Sequence, residues 1–229
     1  MREIVLDTET TGLDPASGDR VVEIGCVELE NRIATGRTYH VYLDPERDMP
    51  DEAFRVHGLS RAFLADKPKF ATIVDEFLAF LADSPLVIHN ASFDAKFLDA
   101  ELVKIGREGL PRGRLVDTLT LAGRLHPGQR NSLDALCARY GIDASRRTRH
   151  GALLDAELLA EVYAELTGGK QTSLGLADAG DARALDLSGV AAAGGAVVAL
   201  TPSDADLARH SAFVDALGSS ALWRRYGER

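Results

Sequence analysis

The sequence predicts an α/β fold, a mixed sheet flanked by helices, and three observations carry that expectation. The short apolar run Ile4-Val5-Leu6 has the length and branching of a buried strand. Two further strand-like stretches follow across short connections, which implies an antiparallel meander. From Phe70 onward helical and strand patterns alternate, as in parallel strands joined by crossover helices.

The first strand runs into Asp7-Thr8-Glu9-Thr10-Thr11-Gly12-Leu13. Side chains alternate faces along a strand, so Asp7 and Glu9 share one side of the sheet. Two crowded carboxylates raise each other's proton affinity unless a cation, magnesium or manganese, lies between them. Two acids on a solvated loop would need no such cation. After the polar turn Asp14 to Asp19 comes the second strand, Arg20 to Leu29, and Asn31-Arg32 turns into a third, Thr38 to Leu43. Pro50 to Leu64 reads as short helical turns carrying Glu52, His57 and Gly58. Phe70, Ile73, Val74, Phe77, Leu78 and Leu81 repeat at the helical period, which predicts a helix over 70–81. A brief strand, Pro85 to Ile88, leads through His89-Asn90-Ala91-Ser92-Phe93-Asp94 into a helix reaching Lys104, and Leu115-Val116-Asp117 is the next strand. Asn131-Ser132-Leu133-Asp134 looks like an N-cap followed by a first-turn acid, opening a helix through Tyr140. The last long helix follows His150-Gly151 and ends at Gly168-Gly169.

Three regions result: a folded domain over 1–168, a flexible linker over 169–200 that is rich in Ala, Gly and Asp, and a C-terminal segment over 201–229. That segment carries Leu207, Val214 and Leu217 on a short helix, with Trp223 near its end. Hydrophobic content of 45% and charged content of 27% are those of a soluble globular protein, and no apolar run approaches the roughly 20 residues of a membrane span. A cytoplasmic location is the default expectation. Cys26 and Cys137 lie in apolar patterns and read as reduced core residues, and no Cys or His pair has zinc-ligand spacing. The net charge of −9 argues against a broad basic nucleic-acid surface. It is compatible with an enzyme that grips a few terminal nucleotides through metal ions and relies on a partner to stay on the polymer.

Asp94 falls in the first turn of a helix that begins where a strand ends, so it can point into the crevice where open α/β sheets place ligands. Asp155 is likewise near a helix start. A first-turn acid can also serve stability alone, so the weight rests on the combination. His150 and Asp155 are five residues apart, about 140° around a helix, and could not face one site if both were helical. His150 is therefore expected in the loop before the helix, where a base could swing over the site while Asp155 stays fixed.

Asp7-Thr8-Glu9 followed by Thr-Gly, His89-Asn90-x-x-Phe93-Asp94 and His150-x-Ala152-x-x-Asp155 occur in an order that resembles the three motifs of the DEDDh superfamily of 3′–5′ exonucleases. Within it, Arg20 to Gly25, Val56-His57-Gly58, Arg130 to Tyr140 and His150 to Gly169 are similar to the epsilon proofreading subunits of bacterial DNA polymerase III, a likeness covering residues 1–176. The resemblance implies an RNase H-like sheet of about five strands and phosphodiester hydrolysis with two divalent cations, Mg2+ or Mn2+. It implies that Asp7 bridges the cations, that Glu9 and Asp155 hold the one that activates water, that Asp94 holds the other, and that His150 is the general base. By the same resemblance Glu52 and His57 line the terminal-nucleotide pocket, Thr8 and Leu13 help seat sugar and base, and Asp7, Glu9 and Asp155 meet the substrate as well. His89 is either near the site or a hydrogen-bonded residue at the strand end. Asp117 is structural, and the Arg146 to Arg149 run either meets phosphates or is solvated.

Gln171, Ser173, Leu174 and Leu176 lie in a six-residue stretch that resembles the peptide bacterial replication proteins insert into the β sliding clamp. The C-terminal helix is too short to be stable alone, and the resemblance names the polymerase III α subunit as its partner, with Ala221 to Arg224 as an anchor. A small accessory subunit on the nuclease domain is left open. The substrate implied is the 3′ end of single-stranded or frayed DNA. A 3′–5′ exoribonuclease and a non-catalytic adaptor between clamp and polymerase are the competing readings.

Overall fold

The computed structural model describes residues 1–168 and 203–216. Its five strands are β1 (Arg2–Thr10), β2 (Val21–Glu30), β3 (Ile33–Tyr42), β4 (Leu86–Ile88) and β5 (Leu115–Asp117), ordered β3-β2-β1-β4-β5. The first three form the expected antiparallel meander, and β4 and β5 add in parallel beside β1. The Asp-x-Glu strand is thus the centre of the sheet. The third strand is longer than the sequence suggested. It pairs from Ile33 onward, although most of it is exposed and polar, because the tight turn at Asn31 and Arg32 puts it in register at once.

The helices are α1 (Asp51–His57), α2 (Arg61–Leu64), α3 (Phe70–Leu81), α4 (Ala91–Lys104), α5 (Thr118–Leu125), α6 (Leu133–Tyr140) and α7 (Ala152–Leu166). Helix α3 has the predicted bounds and buries Phe70, Ile73, Val74, Phe77 and Leu81. Helix α5 was not anticipated from its eight residues. It is started by Asp117, whose carboxylate accepts from Leu119 N at 3.0 Å and Thr120 Oγ1 at 2.7 Å.

The alternation of β1 splits the core in two. Ile4 and Leu6 face α3 and α4 with Phe77, Phe97 and Leu98, while Val5 packs with Val27 and Val87 against α6 and α7. Asp7 and Glu9 continue the Val5 face, so the carboxylates stand on the side that α7 covers. Cys26 and Cys137 are buried free thiols, one in each cluster. No helix among the described residues is long and apolar enough to cross a membrane.

A separate unit carries α8 (Asp204–Ala216). The expected C-terminal helix is present with no buried residue, and Leu207 and Phe213 are exposed. The 169–200 region, the 171–176 peptide, Leu217 and Trp223 lie outside the described residues.

Candidate active site

The site forms beyond the C-terminal ends of β1 and β4. Asp7 pairs with Gly25 of β2 and Glu9 with Glu23, and the register shifts immediately after Glu9. Irregular pairing of this kind re-aims side chains at a strand end. Gly25 is required here by close approach: a methyl group on it would run into the backbone of Ala152 and Leu153. The first turn of α7 therefore lies flat on β2 and delivers Asp155 beside Asp7 and Glu9.

Asp94 arrives by another route. Asn90 adopts a left-handed conformation with φ of 65°, which an Asn tolerates better than most residues, and this bends the chain sharply from β4 into α4. Asp117 accepts from the backbone N–H of Asn90 at 3.1 Å and Ala91 at 3.4 Å, so its role is structural. Asp94 Oδ1 then accepts from Thr8 N at 3.1 Å and Thr8 Oγ1 at 2.7 Å. His89 donates to or accepts from Thr118 Oγ1 at 3.0 Å, which identifies it as a hydrogen-bonded residue at the strand end.

The four acids converge. Burial, followed by the charges of Asp94, Glu9 and Asp155, pushes the Asp7 carboxyl well above the usual carboxylate range. Glu9 is pushed up to about 8 by burial, then by Asp155 and Glu23, and burial carries Asp94 to about 7 despite its hydrogen bonds from Thr8. Asp155 is the exception. Burial would raise it, but the adjoining His150 and Arg147 side chains outweigh that and hold it below its ordinary value. His150 stands in the loop before α7, half-exposed, with Nδ1 3.3 Å from Asp155 Oδ2. Ligand atoms of Glu9, His150 and Asp155 lie within 4.8 Å of one another. Buried oxygen donors that resist ionising together are the donor set a hard divalent cation requires.

The expected nucleotide-pocket residues differ in their surroundings. His57 is buried at the end of α1, its Nδ1 accepting from Leu59 N at 3.0 Å, while its buried Nε2 has no partner. A neutral ring with Nδ1 so engaged carries its proton on Nε2. Glu52 is exposed in the first turn of the same helix, Leu13 is 81% exposed beyond β1, and Thr8 is buried under Asp94.

Two residues escaped the sequence reading. Glu23 is buried opposite Glu9 and is 2.7 Å from His40 Nε2. The meander could have found it, since facing residues on paired strands share a face. Arg147 was read only as part of a charge run, but its side chain is 8% exposed, and Nε and Nη2 reach Asp155 Oδ1 and Oδ2 at 2.5 and 2.7 Å. No local signal separates it from Arg146, which pairs loosely with Glu157, or Arg149, which lies over the Phe54 ring.

Comparison with known proteins agrees with this geometry. A family model described as an exonuclease matches residues 4–163. The DNA polymerase III subunit epsilon of Rickettsia felis is 46% identical over 230 residues, covering 96% of this chain and 99% of that one. The subunit of the same name from Escherichia coli K12 is 44% identical over 238 residues, covering 97% of each. Among solved structures, exonuclease X in complex with 5′ overhanging duplex DNA superposes with a TM-score of 0.58 at 26% identity, over 72% of this chain and 90% of that one. The nuclease domain of 3′hExo, a DEDDh family member bound to rAMP, shares the fold with a TM-score of 0.63 at 16% identity, over 72% and 91% of the two chains. A central strand bearing Asp7 and Glu9, two helices delivering Asp94 and Asp155, and this extent of identity lead to one assignment: the chain belongs to the exonuclease family and, within it, to the DNA polymerase III epsilon subunits, 3′–5′ proofreading exonucleases.

Proposed function

We propose that Asp7, Glu9, Asp94 and Asp155 hold two divalent cations, Mg2+ or Mn2+, over the last phosphodiester of a DNA 3′ end, and that His150 is the general base. Exonucleases of this family depend on divalent metal. The observation that carries the proposal is the convergence of Asp7, Glu9, Asp94 and Asp155 in one buried cluster, where burial first and, for Asp7 and Glu9, neighbouring carboxylates second raise the proton affinity and so favour a cation. When bound, the cations supply charge that stabilises the phosphoryl transition state.

The chain's own residues do the rest. Asp7 and Glu9 are rigid because β1 is the sheet centre, and Thr8 fixes the Asp94 carboxylate by two hydrogen bonds. His150, in the loop ahead of α7, takes the proton of the attacking water once its ring is free to accept one. The unpartnered His57 Nε2–H is suited to an oxygen of the terminal nucleotide, with Glu52 and Leu13 beside the sugar and base. A mispaired end reaches the site more often because it costs less to unpair, so the pocket need not read sequence.

Residues 1–168 would be the exonuclease domain, with 169–200 joining it to a polymerase-binding segment over 201–229. That segment would dock on the polymerase III α subunit, and Gln171, Ser173, Leu174 and Leu176 would engage the β sliding clamp. Tethering supplies the DNA grip that a chain of net charge −9 lacks. The reading is tested by nucleotide release from a 3′-mismatched primer. Release should require Mg2+ or Mn2+, should be slower from a paired end and from RNA, and should fall more than about a thousandfold in Asp7→Ala. Metal-independent release, or full activity in Asp7→Ala, would overturn it.

A further inference from the structure

Arg147 makes an unusual set of contacts for a loop arginine beside a carboxylate cluster. Its Nε and Nη2 take both oxygens of Asp155, Nη1 reaches Asp134 Oδ1, and Nη2 lies 2.7 Å from His150 Nδ1. The guanidinium is thus wedged between a candidate metal ligand and the candidate base, with its far side on the exposed Asp134. Asp155 contributes a carboxylate oxygen to the cluster with Glu9 and His150 that is narrow enough for one cation, and the guanidinium engages both of its oxygens. A guanidinium cannot be deprotonated in a protein, so it cannot leave that carboxylate by losing its charge; it has to move.

The His150 contact has a second consequence. Arginine only donates hydrogen bonds, so at 2.7 Å the Nδ1 atom is the acceptor and the neutral ring carries its proton on Nε2. Neither ring nitrogen then has a lone pair available to water. One side chain therefore engages the ligand and blocks the base in a single pose.

We propose that Arg147 is a built-in counter-cation that competes with the divalent metal for Asp155 and, in the same position, occupies the His150 Nδ1 lone pair that would accept a proton. Metal loading displaces the guanidinium toward Asp134 and frees His150 Nδ1, so the base becomes competent only when the cation arrives. Arg147 is a positioning residue in this scheme. The proposal rests on the metal-centre reading above, and its test separates the two.

The experiment uses the full-length chain and Mn2+ as the probe. Bound Mn2+ is measured by electron paramagnetic resonance for wild type, Arg147→Gln and Arg147→Lys, with circular dichroism as the folding control. Competition requires Arg147→Gln to bind Mn2+ about tenfold more tightly than wild type, with Arg147→Lys between them. If a folded Arg147→Gln binds Mn2+ as wild type does, or more weakly, Arg147 supports the ligand and the proposal fails. If Mn2+ binds neither form, the metal-centre reading fails and takes the proposal with it. A second measurement needs no variant. In 15N-labelled wild type, the Arg147 Nε–H resonance should lose its carboxylate-bonded shift as Mg2+ is added, while the His150 Nδ1 resonance loses its hydrogen-bonded shift and the ring keeps its proton on Nε2. An Arg147 signal that stays unchanged while other site resonances titrate would overturn the competition.

Discussion

Thr8 donates twice to one oxygen of Asp94, through its backbone N at 3.1 Å and its hydroxyl at 2.7 Å, and so joins the central strand to the first turn of α4. Only the hydroxyl contact can be removed by mutation. Thr8→Val keeps the shape and β-branching but leaves Asp94, 3% exposed, with one partner fewer. We expect a folded protein with activity reduced about tenfold or more and weaker Mn2+ binding, with Thr8→Ser near wild type. Steady-state hydrolysis and metal titration on the three proteins check this. Equal activity in Thr8→Val would mean that the backbone contact alone positions Asp94.

The acid cluster makes the metal-free chain sensitive to pH. Glu9 titrates near 8 and Asp94 near 7 in the folded state, Asp7 is also raised, and all three return to ordinary values on unfolding. In between, the native state holds protons that the unfolded chain has released. Stability from these groups is therefore complete below the unfolded values and lost as pH rises through the folded ones, at up to ~1.4 kcal/mol per pH unit per proton. His57, lowered by burial, has the opposite trend, but only below about pH 6.5, its ordinary value. Urea midpoints in chelator should fall between about pH 6.5 and 8, and Mn2+ should restore them. A flat or rising profile there would contradict the raised proton affinity of these buried acids.

Close packing of α7 on β2 predicts that Gly25→Ala does damage out of proportion to one methyl group. The added carbon meets backbone at Ala152 and Leu153, which cannot rotate away as a side chain would. A loss of about 1–3 kcal/mol in stability, together with weaker Mn2+ binding through displacement of Asp155, is expected. Gly113→Ala, where a methyl group meets nothing within 4 Å, is the control and should leave both unchanged.

Arg20 and Glu101 tie the start of β2 to α4 through contacts of 2.6 and 2.8 Å, and Glu101 is 4% exposed. Arg20→Ala leaves that carboxylate buried without its partner and should cost about 3–5 kcal/mol by chemical denaturation. Removing both charges in Arg20→Met, Glu101→Leu should recover much of the loss. If the double variant is no more stable than Arg20→Ala, the ion pair is not the source of the cost.

Alternation along β1 determined from sequence alone that Asp7 and Glu9 share a face, because a strand leaves a side chain only two directions. Angular spacing likewise placed His150 ahead of α7, and the apolar period of α3 returned its bounds, since each follows from local backbone geometry. Only the tertiary structure decided that these residues meet Asp94 and Asp155, for that depends on β4 lying parallel to β1, on the left-handed turn at Asn90 and on the bare backbone of Gly25. Only it could separate Arg147 from the arginines beside it. A charge run has no preferred face in a loop, and which of its members becomes buried is set by the position of acids far along the chain.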